Sequence, residues 1–138
     1  MGAPAVLGGP NAVPEAGLLF PLVARTATPG TPTNGFVGEF GPSPSAVGVG
    51  ILIDTTASAA PTTVFNVEFY EPETATWLLL LASAAVVANG QVTLTVDPRI
   101  ATAANVSIQT GLRPRMRVRP VHGNGNSHTY AVTVYAWS

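Results

Sequence analysis

Apolar and polar residues alternate with a period of two through most of the last two-thirds of the chain. In "TTVFNVEFYE" (residues 62–71), Phe65, Val67 and Phe69 share one parity, and Asn66, Glu68 and Tyr70 share the other. A strand sends successive side chains to opposite faces, so this pattern predicts a strand with one buried face. "SHTYAVTVYAWS" (127–138) repeats it, with Tyr130, Val132, Val134 and Ala136 on one side. "VGVGILIDTT" (47–56) is β-branched and apolar, and "QVTLTVDP" and "AANVSIQT" add shorter strands. "TWLLLLASAAVVANG" contains good helix formers, and a buried helix stays open for it. Asn-Gly between two apolar runs favours a hairpin, with strand pieces at 77–81 and 84–88 leading into 91–96.

Turn chemistry punctuates these runs. "EPET" (71–74) places Pro72 where a turn needs its fixed φ, and "HGNGNSH" (122–128) offers Gly and Asn for a final hairpin. His122 and His128 flank that turn and are expected on an exposed loop. About eight short strands separated by turn signals predict an all-β fold, a single antiparallel β-sandwich or jelly roll over residues 47–138. The chain's 138 residues suffice for one such domain.

Residues 1–46 follow a different grammar, with eight of the 14 glycines and eight of the 13 prolines. That density interrupts helices and ladders alike. Yet the segment is apolar, with Leu18, Leu19, Phe20, Leu22, Phe36 and Phe40 prominent. Disordered segments are poor in such residues. The expectation is an extended N-terminal arm whose six large side chains lie on a partner or, as the alternative for residues 17–46, fold back over the chain's own domain.

Charge then changes the picture. Charged residues make up 9% of the chain, against about a quarter in typical soluble domains. Four of the six basic residues, Arg113, Arg115, Arg117 and Arg119, occupy alternate positions of one segment. On a strand they would share a face, with Pro114, Met116, Val118 and Pro120 turned to the core. Two prolines suggest an edge strand, which charge would protect from wrong pairing. The stripe could instead meet acids, either the chain's own Glu68, Glu71 and Glu73 or those of a partner, since guanidinium groups fit carboxylates.

Other chemistry is sparse. A net charge of −1 and arginines without interleaved aromatics argue against nucleic acid. The longest apolar run spans 12 residues, against about 20 for a membrane helix, so no membrane partner is expected. There is no cysteine, and two histidines do not make a metal site. No nucleophile-elbow, P-loop, dinucleotide-binding or HExxH motif occurs, so neither enzyme activity nor a cofactor is expected. Trp137, near the end of the last strand, is a candidate interface anchor. Trp77, Trp137, Tyr70, Tyr130 and Tyr135 could alternatively build a sugar-stacking platform.

With "MGAPAVLGGPNAVPEAGLLFPLV" as the arm and residues 47–138 as the sandwich, the whole chain resembles in organisation the decoration (cement) proteins of tailed-phage capsids. The resemblance implies a structural protein on the capsid exterior of a virion. It would act as a homotrimer, bind the major capsid protein or an equivalent shell subunit, and clamp adjacent capsomers. A carbohydrate- or receptor-binding module on a virion or cell surface is the alternative.

Overall fold

The computed structural model describes residues 38–138, together with the backbone of three short strands before them. In chain order the strands are β1 (Ala12–Val13), β2 (Leu18–Leu19), β3 (Val23–Arg25), β4 (Gly38–Pro42), β5 (Gly48–Ser58) and β6 (Thr63–Glu71). They continue with β7 (Thr76–Ala82), β8 (Gly90–Val96), β9 (Ser107–Ile108), β10 (Met116–His122) and β11 (His128–Trp137). Strands β4 to β11 form an all-β, two-sheet body, with no helix among the described residues. One sheet runs β1-β4-β10-β6-β7; the other runs β2-β11-β5-β8-β9, with β3 also on β11. Pairing is antiparallel apart from β1–β4 and β8–β9.

The period of two explains the core. Phe65 and Val67 of β6 are fully buried, as are Met116 and Val118 of β10, and they meet Val49, Ile51 and Ile53 of β5 and Leu94 and Val96 of β8. Tyr130 of β11 lies edge-on to Phe65, with centroids 5.0 Å apart, an arrangement that aromatic quadrupoles favour. The histidines, expected on an exposed loop, are buried instead. His128 Nδ1 is 2.8 Å from the Thr63 hydroxyl and Nε2 is 2.9 Å from that of Thr55. A hydroxyl can donate or accept, so either tautomer is satisfied.

Several expectations change. The proposed arm boundary at residue 46 falls inside the body, because β4 pairs with β10 through Phe40↔Met116. Phe40, expected on a partner, is 1% exposed in this chain's own core. Glycine and proline disguised a strand whose alternation, Gly38 and Phe40 against Glu39 and Gly41, spans only two turns inward. Residues 77–81 are strand, whereas 84–88 contribute only a single bridge, Val86 to Thr63.

Both Asn-Gly signals mark passages between sheets rather than hairpins. Asn89-Gly90 leads from β7 in one sheet to β8 in the other, and "HGNGNSH" leads likewise from β10 to β11. The local hairpin is the one with the "EPET" turn, joining β6 and β7.

Nor is β10 an edge strand; it lies between β4 and β6. Tyr70 donates its N–H to the Arg115 carbonyl, so by alternation Arg115, Arg117 and Arg119 direct backbone groups to β6. Pro120 therefore faces the β4 side, beyond the last described β4 pair, Val118↔Gly38. Its missing donor breaks no rung of the described ladder.

Phe40→Ala is expected to cost about 3–5 kcal/mol in denaturant unfolding, the range for a fully buried aromatic. An unchanged midpoint would place Phe40 outside the core.

Candidate functional site

The outer face of the β4-β10-β6-β7 sheet gathers three of the chain's six arginines and two of its seven carboxylates. Register puts Arg117 opposite both Glu39 on β4 and Glu68 on β6, and Glu68 opposite Leu79 on β7. Arg117 Nε donates to Glu68 Oε1 at 2.6 Å, while Arg119 Nε and Nη2 reach the same carboxylate at 3.0–3.2 Å. Arg115 pairs with Glu39. The Arg117 guanidinium lies 4.2 Å from the Trp77 ring centre and that of Arg115 lies 4.4 Å from Tyr70, within cation–π range.

The stripe of four is thus three and one. Arg115, Arg117 and Arg119 share the outer face, whereas Arg113 precedes β10 and turns to Phe69, 4.9 Å from its ring centre. Arg113 also donates to the Thr110 hydroxyl and the Gly111 carbonyl. Every arginine of the stripe is held by its own chain. Of the acids expected to meet it, Glu68 does; Glu71 instead accepts the Glu73 N–H across the turn.

Burial alone would raise the Glu68 carboxyl, but hydrogen bonds from Arg119 and Arg117 outweigh it and hold the group below its ordinary value. The Asp97 carboxyl is likewise held well below its ordinary value, chiefly by the Arg99 side chain, with the Arg99 N–H and the Trp137 indole adding to it. Trp137, expected to anchor a partner, binds within its own chain. Its Nε1 donates to Asp97 Oδ2 at 2.6 Å, and its ring covers Gly48 and Gly50. A Cβ at Gly48 would lie 2.3 Å from Asp97 Oδ2, so only glycine lets the indole and carboxylate close over β5.

The opposite condition holds along one flank. Between Glu73 and Arg113 the sequence has two charged residues, Asp97 and Arg99, and these pair at 2.9 Å. The segment builds β7, β8, β9 and their connections, leaving a flank with no uncompensated charge. Leu78, Leu79, Val87 and Val106 are exposed there, Leu79 by 57%. A groove of about 540 Å³ runs between residues 84–92 and 104–106, lined mainly by alanine and valine. Sequence reading passed over this flank, although its signal is plain: 39 residues from 74 to 112 with one self-cancelling ion pair.

Of the arm residues, Leu18 and Leu19 have backbone pairing, with Val134 and Thr133 of β11. Phe20, Leu22 and Phe36 lie outside the described residues. Among the described residues no three His, Cys, Asp or Glu side chains group to hold a metal.

Two predictions follow from the paired carboxylates. Glu68→Gln leaves Arg117 and Arg119 half-buried without a counter-charge and is expected to cost about 2–3 kcal/mol, whereas Glu39→Gln, at an exposed pair, costs less than about 1. Chemical denaturation of both variants checks the order. Asp97 and Glu68 are depressed on folding, so their stabilisation is complete above the unfolded carboxylate range and fades as pH falls below about 4. The melting temperature should drop between pH 4 and 2, and Asp97→Asn should flatten that slope; equal slopes would contradict it.

No protein-family model matches this chain, and no curated protein is significantly similar to it.

Proposed function

We propose that this protein is a structural subunit that decorates the outside of a particle shell, as a capsid decoration protein of a tailed phage does. One observation carries the reading: seven of the eleven charged side chains in residues 38–138 pair within the chain, while the β7–β9 flank offers apolar surface and no uncompensated charge. Such a flank suits a lasting partner, because water-exposed apolar area recovers about 25 cal/mol per Å² when covered. A shell subunit presenting a similarly uncharged surface would meet it without stranding a charge.

The arginine stripe takes a different part in this reading. Bound to Glu39 and Glu68, it stiffens the sheet and leaves grip on the shell to the apolar flank. Repetition over many shell positions would then make weak joints strong, since docked neighbours raise effective concentration. The sugar-binding alternative has less support, because Tyr70 and Trp77 already carry guanidinium groups over their rings.

Sedimentation with shells from the source of this sequence tests the proposal. Retention is expected to persist at high salt, to survive Arg115→Glu, and to fall at least tenfold in Val87→Asp with Val106→Asp. Salt-labile binding, or equal retention of the groove variant, would overturn it.

A further inference from the structure

The outer edge of β7 is an open strand edge of unusual composition. Among the described residues no strand pairs with it on the side away from β6. Tyr70 and Glu68 direct their backbone groups to β10, so their partners on β7, Trp77 and Leu79, form non-hydrogen-bonded pairs with β6. The N–H and C=O of Trp77 and of Leu79 therefore point outward. Farther along, Asn105 Nδ2 donates to the Ala82 carbonyl at 3.0 Å and closes that end of the edge. The open stretch is centred on Leu78, which is 43% exposed.

Natural edges are usually blunted by charge, proline or a covering segment. The sequence "TWLLLLA" has neither charge nor proline. A bulge where Leu80 is inserted opposite the Val67/Glu68 step lies at the capped end, beyond Leu79.

We infer that β7 pairs antiparallel with β7 of a second copy of this chain across a twofold axis at Leu78, joining two β4-β10-β6-β7 sheets into one. The occupant follows from charge and register. Any partner strand must bring no charge to an uncharged apolar edge, and an identical strand meets that condition at every position. Centring on Leu78 sets Trp77 opposite the partner's Leu79, and the reverse, so each pair exchanges two N–H···O bonds and all four outward-facing groups on each strand are used. Leu78 then lies against its own equivalent, with Cα atoms about 4.5 Å apart. A twofold contact is self-complementary, which a threefold arrangement of the same edge is not. The inference does not rest on the decoration reading.

The full chain tests it, with mass by light scattering and folding by circular dichroism. The wild type is expected at twice the chain mass. Leu79→Pro removes a donor that serves only the outer edge, so the β6–β7 ladder survives while the mass halves. Leu78→Glu sets two like charges face to face and halves it too. Because the chain has no cysteine, Leu78→Cys supplies a single thiol at a separation a disulfide can span, about 4.4–6.8 Å. Mild oxidation should give a covalent dimer there and none in Tyr135→Cys, an exposed position on β11. A monomeric wild type, a trimer, or a mass that neither Leu79→Pro nor Leu78→Glu alters would overturn the inference. Should Leu79→Pro not fold, Leu78→Glu and the cross-link decide it.

Discussion

Two sheets can share a dry interior only if each strand turns alternate side chains inward without a break, and this protein is organised around meeting that condition with few large residues. Phe65, Tyr130 and Phe40 supply much of the bulk, and valines and isoleucines of β5, β8 and β10 fill between them. His128, fully buried among them, lies between two threonine hydroxyls. Buried polar groups left unmatched would cost more than this small core could spare. Once the inner parity is assigned, the outer one is fixed, which is why Arg115, Arg117, Arg119, Glu68, Tyr70 and Trp77 converge on one surface.

That outer surface settles how charge is used. A carboxylate shared by two guanidinium groups, one of them lying over an aromatic ring, is worth more than the same groups scattered over a solvated surface. Five of the chain's charges hold strands β4, β10 and β6 in register, while the β7–β9 segment carries only the self-cancelling Asp97–Arg99 pair. Specific charge placement on one face and its absence on another are two sides of one economy.

Strand identity was legible because a period of two survives tertiary context: β5, β6, β10 and β11 appear where alternation or β-branching placed them. What the residues did not reveal was partnership. Asn-Gly reports that the backbone reverses, and is silent on whether the next strand joins the same sheet or the facing one. Pro120 suggested an edge because proline lacks a donor, but only the register shows that this donor would have faced past the end of β4. Phe40 hid among glycines and prolines, whose own tendencies masked a short strand. The arginine pattern was visible, and Glu68 stood among its candidate partners, but Glu39 and the rings of Tyr70 and Trp77 come together only through pairing between distant segments.

The passages between sheets carry a consequence for how the molecule is made. Apart from β6 and β7, no neighbouring strands among the described residues close a local antiparallel hairpin, and β11 must find β5 about eighty residues back, as its Thr133↔Leu52 register requires. Because β11 is also the strand on which β2 and β3 lie, one whole layer lacks its keystone until that segment has left the ribosome. Domains of such non-local topology reach their native state in about milliseconds to seconds. During that interval the leucines of β7 are bare, so nascent chains crowded on one message would meet each other before they were finished.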